Sequence, residues 1–255
     1  MNREALSGAG TAIDWARVRE DFPLLARQVN GKPLIYLDSA NTGQKPASVI
    51  QTVDDFYRQH NANVSRAVHT LGTEATDAYE GARKRLARFL NVRPDELVLC
   101  SGTTFAINLV AYSWALPRLK AGDTILVSRM EHHANIVPWQ QLAAAKGAKI
   151  RVIPVDDSGQ VLLDEYKKLL NDRTKIVSVT QVSNALGTVV PVKQIVELAH
   201  RAGAKALVDG AHSISHMRVD VQDIGADFFV FSGHKVFGPT GIGVVWGKRE
   251  VLEDM

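Results

Sequence analysis

The sequence predicts an α/β fold in which a mostly parallel sheet of about seven strands is covered by helices on both faces. Two observations lead to this fold class. Short runs rich in Val, Ile and Leu recur along the chain, which is typical of strands buried on both faces of a parallel sheet. Segments with apolar residues at helical spacing separate most of these runs. The length of 255 residues, 45% of them hydrophobic and 22% charged, is typical of one large globular domain.

The chain is interpreted as an accessory segment over residues 1–34 and a large domain over residues 35–255. The accessory segment begins with a loose stretch that contains glycine. A short helix is predicted over residues 14–22, and Pro23 ends it.

The large domain begins with an apolar triplet at residues 35–37, which predicts a short strand, and a polar turn follows it. Pro46 is placed to begin a helix, and a longer helix is predicted over residues 73–90. The polar segment between these helices contains Arg66 and His69, which are expected in a surface loop.

Strands and helices alternate from residue 97 onward. Strands are predicted at residues 97–100, 124–128, 150–155, 176–180, 206–208, 228–231 and 242–246. Helices are predicted between them at residues 104–114, 134–146, 163–170 and 192–201. No helix of sufficient length separates the last two strands, so residues 242–246 are expected to run antiparallel to their neighbour. Asp220 and Asp227 are interpreted as solvated residues that flank strands.

Polar side chains follow five of these strands at the point where each strand ends. Ligands of open parallel sheets bind beyond the carboxyl ends of the strands, so these side chains are expected to form one site. They stand at residues 101–104, 131–135, 181–184, 209 and 232–235.

Lys235 carries the most specific chemical signal of this set. A lysine attacks an aldehyde only as the neutral amine, so it needs hydroxyl or imidazole neighbours in place of bulk water. Ser232 and His234 stand beside it and can bind a phosphate. Asp209 closes an apolar strand, where a carboxylate can pair with a pyridinium nitrogen. Taken alone, Lys235 is better explained as a solvated loop lysine and Asp209 as an aspartate at a turn. Together, the two residues predict bound pyridoxal 5'-phosphate (PLP).

Five further residues complete the predicted cofactor site. Thr103 and Thr104 open a helix after a strand and can bind phosphate, although helix capping is the alternative. His132 can stack on a planar ring. Asn184 or His212 can contact the phenolic oxygen of that ring, and stabilising its own turn is the alternative for Asn184.

Charge, cysteine content and hydropathy argue against several classes of protein. The net charge of +3 comes from scattered Lys and Arg, which argues against nucleic acid as the main partner. The single cysteine, Cys100, allows no internal disulfide and is interpreted as a small core residue. No third ligand follows His132 and His133 at zinc spacing, so no metal site is predicted. No apolar run has the length of a membrane span or signal peptide, and a cytoplasmic protein without membrane association is expected.

Several motifs together resemble a known family. They are Ser-Gly-His-Lys at 232–235 with the following Gly-Pro-Thr-Gly-Ile-Gly, Asp-Gly-Ala at 209–211, Met-Glu-His-His-Ala-Asn-Ile-Val-Pro-Trp at 130–139, Val-Ser-Asn-Ala-Leu-Gly at 182–187, and Leu-Asp-Ser-Ala at 37–40. The sequence is similar to the class V aminotransferases, and within them to the group II (SUF-type) cysteine desulfurases, from about residue 31 to residue 255. The resemblance implies a PLP-dependent transferase of fold type I that converts L-cysteine to L-alanine. It also implies a homodimer and transfer of the sulfur as a persulfide to a sulfur-acceptor protein for iron–sulfur cluster assembly.

The resemblance also implies a role for each matching residue. The catalytic residues would be Lys235, which forms the internal aldimine and moves the α proton, and His132, which stacks on the ring and assists proton transfer. Asp209 would keep the pyridine nitrogen protonated. Asn184 would contact the substrate or the phenolic oxygen. Phosphate would be bound by Thr103, Thr104, Ser232 and His234.

The sequence departs from the family pattern at three positions and in length. His212 replaces the usual glutamine and leaves open a kynureninase-like or epimerase-like enzyme acting on another small amino acid. Phe105 and Ser65 replace a usual glutamate and histidine. The family carries a further small domain that supplies a cysteine nucleophile and an arginine for the substrate carboxylate. We expect this chain to lack that domain and to bind the cofactor better than it turns over cysteine, and a non-catalytic PLP-binding remnant is the third alternative.

Overall fold

The computed structural model describes residues 13–66 and 68–255, so residues 1–12 of the predicted accessory segment lie outside it. A two-stranded hairpin, β1 (Gln28–Val29) with β2 (Lys32–Pro33), precedes the main sheet. The main sheet contains β3 (Leu97–Cys100), β4 (Thr124–Ser128), β5 (Lys149–Ile153), β6 (Thr174–Thr180), β7 (Lys205–Asp209), β8 (Phe228–Ser232) and β9 (Gly243–Gly247).

The main sheet has seven strands in the order β3-β9-β8-β7-β6-β4-β5. The strands from β8 to β5 in this order pair in parallel. β9 is antiparallel to β8 on one side and to β3 on the other. The predicted mostly parallel sheet and the antiparallel direction of its late strand are therefore confirmed.

Helices precede the sheet and connect its strands. They are α1 (Trp15–Glu20), α2 (Ala47–Asp55), α3 (Thr70–Leu90), α4 (Thr103–Leu109), α5 (Leu116–Arg118), α6 (Val137–Lys146), α7 (Leu163–Leu169), α8 (Val192–Arg201), α9 (Ser213–His216), α10 (Val221–Ile224) and α11 (Arg249–Leu252). The helix predicted over residues 14–22 corresponds to α1. Asp14 is its N-cap and accepts two backbone hydrogen bonds, so the helix itself begins one residue later, at Trp15. Across the described ranges, no helix combines the length and the apolar character that crossing a bilayer requires.

The central strands are buried on both faces because successive residues point to opposite sides. In β8, Phe228 and Val230 pack into one apolar cluster, whereas Phe229 and Phe231 pack into a second cluster on the other face. Trp139 of α6 belongs to the first cluster and Ile195 of α8 to the second. This two-sided burial explains why the strands read as continuous apolar runs in the sequence.

The strand predicted at residues 35–37 is wrong. Leu37 is 90% exposed and Ile35 is 78% exposed, and no strand within the described ranges pairs with this segment. An apolar triplet forms a strand only when a neighbouring strand accepts its backbone hydrogen bonds, and here the chain runs past the sheet instead.

The interpretation of Asp227 as a solvated residue is also wrong. Its carboxylate is fully buried and accepts hydrogen bonds from His200 Nε2 at 2.7 Å, Lys205 Nζ at 2.9 Å and the Ala206 amide at 2.8 Å. A buried carboxylate is tolerated when it is paired in this way. The sequence around Asp227 gives no sign of it, because His200 is 27 residues away.

Candidate functional site

The loops after five strands meet around one cavity of about 200 Å³ at the carboxyl edge of the parallel strands. Every predicted cofactor residue lines this cavity: Thr103, Thr104, His132, Asn184, Asp209, His212, Ser232, His234 and Lys235. The structure therefore brings together the nine predicted cofactor residues, whereas Glu131 and Asn135, which also belong to the strand-end pattern, do not line the cavity.

Lys235 lies in a short helical turn, residues 233–235, directly after β8. Its Nζ atom lies 2.8 Å from Nε2 of His212. Burial lowers the pKa of Lys235, and the negative charge of Asp209 opposes this effect. Because burial disfavours the ammonium form, Lys235 is closer to a reactive neutral amine than a solvated lysine is.

Asp209 ends β7 and is 4% exposed. Its Oδ1 atom accepts a hydrogen bond from the Ala211 amide at 2.9 Å, and the described part of the chain offers no hydrogen bond to the other oxygen. Burial raises the pKa of Asp209, while the Ala211 amide and Lys235 act in the opposite direction. A cationic N–H group in the cavity would satisfy the open oxygen and favour the ionised carboxylate, as a pyridinium ring requires.

His212 is buried, and burial lowers its pKa to about 4, with the charge of Lys235 adding to the effect. Its imidazole is therefore neutral at neutral pH and its Nε2 atom can accept a hydrogen bond from a protonated Lys235. The same position could face the phenolic oxygen of a bound ring.

The oxygen-rich corner of the cavity is built from Thr103 and Ser232. Ser232 Oγ accepts a hydrogen bond from the Thr103 amide at 2.8 Å and lies 2.7 Å from Thr103 Oγ1. The preceding Gly102 has φ 151° and ψ 174°, a conformation that is essentially restricted to glycine. Gly243 of β9 packs directly against Gly102, and a side chain on Gly243 would collide with the backbone of Gly102. These contacts place the start of α4 and its free amides at the cavity.

The turn after residue 37 forms another wall of the cavity, which the sequence did not reveal. His234 Nδ1 lies 3.2 Å from Thr42 Oγ1, and the carbonyl oxygen of His234 accepts hydrogen bonds from the Gly43 amide at 3.0 Å and from Lys45 Nζ at 3.1 Å. Asn41 lines the cavity as well. The polar turn was visible in the sequence, but its contact with His234, 192 residues away, was not.

His132 and Asn184 present polar atoms to the cavity from exposed positions. His132 Nδ1 accepts a hydrogen bond from the Ala134 amide at 3.1 Å, which leaves Nε2 as the protonated nitrogen of the neutral ring. Ser183 Oγ accepts the amides of Ala185 and Leu186 and so stabilises the turn. The Asn184 side chain is therefore not needed for that turn.

Three residues that were considered in the sequence lie outside the cavity. Cys100 is partly buried, and burial raises the pKa of its thiol, which agrees with a small core residue. Arg66 and His69 are exposed and do not line the cavity.

Comparisons with known proteins place the chain among class-V aminotransferases and proteins named cysteine desulfurases. A family model described as aminotransferase class-V matches residues 35–255. A cysteine desulfurase of Synechococcus elongatus is 59% identical over 98% of this chain and 40% of its own length. The crystal structure of the cysteine desulfurase CsdA from Escherichia coli has a TM-score of 0.85 at 39% identity, over 96% of this chain and 60% of that chain.

The apo structure of a cysteine desulfurase from Thermococcus onnurineus has a TM-score of 0.89 at 38% identity, over 97% of this chain and 60% of that chain. The chain thus spans 40% of the Synechococcus relative and 60% of each solved chain.

Proposed function

The chain belongs to the class V aminotransferase family, and from this membership we propose that it binds PLP and forms the cofactor domain of a cysteine desulfurase. One observation carries the proposal: a single cavity holds an amine with a lowered pKa, Lys235, and a buried carboxylate with one open oxygen, Asp209. Under this proposal, residues 35–255 are the PLP-binding large domain and residues 1–34 an accessory segment.

The residues present fit the cofactor part by part. Lys235 would hold the aldehyde carbon and Asp209 the pyridine nitrogen, while Asn184 or His212 would contact the phenolic oxygen. Phosphate would be bound by Thr103, Thr104, Ser232 and His234. When bound, the cofactor supplies an electron sink that stabilises negative charge at the α carbon of an amino acid.

The chain's own groups would bind, orient and move protons. Lys235 Nζ, once free, would take the proton from the α carbon of the substrate, and burial, which lowers its pKa, favours the neutral amine that this role requires. His132 would cover one face of the ring, and its Nε2 would exchange protons with the substrate. Asp209, as an ionised carboxylate beside the ring nitrogen, would keep that nitrogen protonated, which the ring needs to act as an electron sink.

L-cysteine is the proposed substrate because both the curated relative and the two solved chains are named cysteine desulfurases. The proposed reaction transfers the sulfur of L-cysteine to a cysteine thiol, which becomes a persulfide, and leaves L-alanine. Cys100 does not line the cavity, so that thiol would come from elsewhere, and the persulfide sulfur would pass to a sulfur-acceptor protein for iron–sulfur cluster assembly. The chain is further proposed to be cytoplasmic and to form a homodimer, which sedimentation equilibrium would reveal as twice the mass of one chain. A monomer at all concentrations would exclude the dimer.

The test is incubation of the purified chain with PLP, followed by L-cysteine. Binding through Lys235 should give a yellow absorption band that is lost in Lys235→Ala and kept in Lys168→Ala, an exposed lysine of α7. With a dithiol reductant present to release the transferred sulfur, sulfide and alanine in equal amounts support desulfurase chemistry. A Lys235-dependent band without turnover supports a domain that binds the cofactor but does not complete the reaction. If no band forms, or if Lys235→Ala leaves it unchanged, the proposal is wrong.

His212 favours a second candidate function, a kynureninase-like or epimerase-like enzyme. An imidazole 2.8 Å from Lys235 Nζ provides a proton-transfer group at this position that a glutamine would not. This alternative predicts racemisation or side-chain cleavage of another small amino acid without sulfide release, which chiral analysis of the products detects.

A further inference from the structure

A buried polar network lies beneath the loop that carries His132. Its centre is Glu131, which is 8% exposed. Glu131 Oε1 accepts hydrogen bonds from the Thr180 amide at 3.0 Å and from Ser128 Oγ at 2.5 Å, and Oε2 accepts one from Asn135 Nδ2 at 2.7 Å. One carboxylate thus connects the end of β4, the end of β6 and the turn before α6.

The orientation of the Asn135 amide leaves Glu131 no role except that of acceptor. Trp139 Nε1 is a donor only and lies 3.0 Å from Asn135 Oδ1, to which Ser178 Oγ also donates at 2.5 Å. Asn135 must therefore turn its NH₂ group toward Glu131. Asn135, Ser178 and Trp139 are all fully buried, so water cannot replace a missing partner.

His132 depends on this network because its own side chain is exposed and little packing restrains the ring. Within the described residues, the one hydrogen bond of its ring is that which Nδ1 accepts from the Ala134 amide, inside the same loop. The position of the ring therefore follows the backbone of residues 131–135, which Glu131 and Asn135 hold from below.

We propose that Glu131 is a positioning residue: by accepting hydrogen bonds from three segments, it holds the 131–135 loop so that the His132 ring stands at the wall of the cavity. The role of that ring rests on the proposed function, whereas the network does not. The Glu-His-His-Ala-Asn motif and the tryptophan four residues later then have one explanation, since Trp139 orients Asn135, Asn135 and Glu131 fix the loop, and the loop presents His132.

The protonation state of Glu131 sets the conditions for a test. Burial raises the pKa of Glu131 to about 7, against the hydrogen bonds from Ser128, Asn135 and Thr180, and the nearby charge of Asp209 adds to the rise. Experiments at about pH 8.5 therefore examine the ionised, acceptor-only form.

The decisive comparison uses Glu131→Gln and the double variant Glu131→Gln with Asn135→Asp. In the single variant the glutamine has one acceptor oxygen, so its NH₂ group faces either the NH₂ group of Asn135 or the amide of Thr180, and in both orientations two donors meet without an acceptor. The double variant restores the pairing, because the new aspartate can accept from both the glutamine and Trp139. Glu165→Gln, the same change at an exposed carboxylate, is the matched control.

Two measurements on the chain without cofactor report on the loop. Amide hydrogen exchange at Ala134 and Thr180 should be about tenfold faster or more in Glu131→Gln, as expected from the loss of a hydrogen bond to a charged group. The imidazole ¹⁵N signals of His132, assigned with His132→Gln, should change from one neutral tautomer to a mixture. Both should return to wild-type values in the double variant and stay unchanged in Glu165→Gln.

Unchanged exchange at Ala134 and an unchanged His132 tautomer in Glu131→Gln would overturn the proposal. If Glu131→Gln does not fold, the double variant decides: recovered folding with protection at Ala134 supports the proposal, and any other result contradicts it. Because PLP is absent from these measurements, a chain that never binds the cofactor still gives an answer about Glu131. Cofactor binding is measured in a separate experiment, by the Lys235-dependent absorption band.

Discussion

Lys235 and His212 face each other at 2.8 Å in a wall of the cavity, and burial lowers the pKa of both side chains. For His212 the pKa falls to about 4, so its imidazole is uncharged at neutral pH and accepts a hydrogen bond. For Lys235 the Asp209 carboxylate acts against burial and favours the ammonium form. The reactivity of Lys235, which follows β8, is thus set by two residues at the end of the neighbouring strand β7.

The lowered pKa predicts that Lys235 reacts with an aldehyde at lower pH than an exposed lysine does. The neutral amine appears as the pH rises through the pKa, so the midpoint of the labelling rate should move down. Reductive methylation followed by peptide mass spectrometry gives this midpoint for Lys235 and, in the same sample, for Lys168, whose pKa is raised by its hydrogen bond with Glu165.

Asp209→Asn sharpens this prediction. It removes the charge that favours the ammonium form, so the labelling midpoint of Lys235 should fall further while that of Lys168 stays constant. A midpoint for Lys235 at or above that of Lys168 would contradict the environment described for it.

Among the elements, β9 has the closest link to the site. It fills the gap between β3 and β8, and its Gly243 pairs with Cys100 on one side and with Ser232 on the other. The absence of a side chain at Gly243 lets Gly102 approach it, and this contact brings the Thr103 hydroxyl next to Ser232. A sheet contact thereby determines the spacing of two predicted phosphate-binding groups.

Gly243→Ala should therefore weaken cofactor binding as well as the fold. The added Cβ meets the backbone of Gly102, and such overpacking costs about 2 kcal/mol of unfolding free energy. Urea unfolding and PLP titration measure the two effects. Gly81→Ala in α3 is the control, because nothing lies within 4 Å of the added Cβ, and it should stabilise the chain by up to about 1 kcal/mol. Equal PLP affinity in Gly243→Ala and wild type would show that the turn does not depend on this contact.

The elements also show what the sequence reveals about the fold. Strands such as β4 and β6 were predictable because both of their faces are buried, so their sequences are nearly continuous apolar runs and do not alternate between apolar and polar residues. Residues 35–37 were mispredicted because apolar character is a local signal, whereas strand formation needs a partner elsewhere in the chain. Asp227 was misjudged for the same reason, since its partners come from other elements.

The candidate site was largely predictable because the carboxyl ends of parallel strands meet at one edge, so residues after different strands are neighbours in space. Thr42 and Lys45 were missed because they reach the site through a loop that is not part of the sheet. Glu131 belongs to the strand-end pattern, but its role was not predicted because it lies beneath the cavity and its partner Thr180 becomes a neighbour only after folding.

Across the whole molecule, Asp227 joins several layers. It lies at the start of β8 and binds His200 of α8, Lys205 of β7 and the Ala206 amide, with Lys248 3.7 Å away. Burial alone would raise the pKa of Asp227, but the hydrogen bonds from His200, Lys205 and Ala206 lower it overall. Because the pKa is lowered in the folded state, this contribution to stability is complete above the ordinary value of 3.8 and is lost as the pH falls through the lowered pKa.

Asp227→Asn should lower the unfolding free energy by about 2 kcal/mol at neutral pH. The difference from wild type should shrink as the pH falls below about 4, because the wild-type carboxyl group then becomes protonated as well. Urea unfolding across this pH range measures both. Asp223→Asn removes an exposed ion pair with Lys193 and should cost less than about 1 kcal/mol. A deficit for Asp227→Asn that stays constant down to pH 3 would exclude the buried ion cluster as its cause.

The position of β3 also constrains the order in which the molecule acquires its structure during synthesis. Among the described residues, β3 pairs in the sheet with β9 alone. The Trp246 Nε1 that donates a hydrogen bond to Glu96, beside β3, is 150 residues further along the chain. A nascent chain carrying β3 therefore has no sheet edge to join until β9 has left the ribosome. The parallel strands from β8 to β5 can assemble earlier. The turn before α4 becomes fixed only when β9 has been synthesised and pairs with β3. The cavity proposed to bind the cofactor should thus be among the last parts of this structure to form.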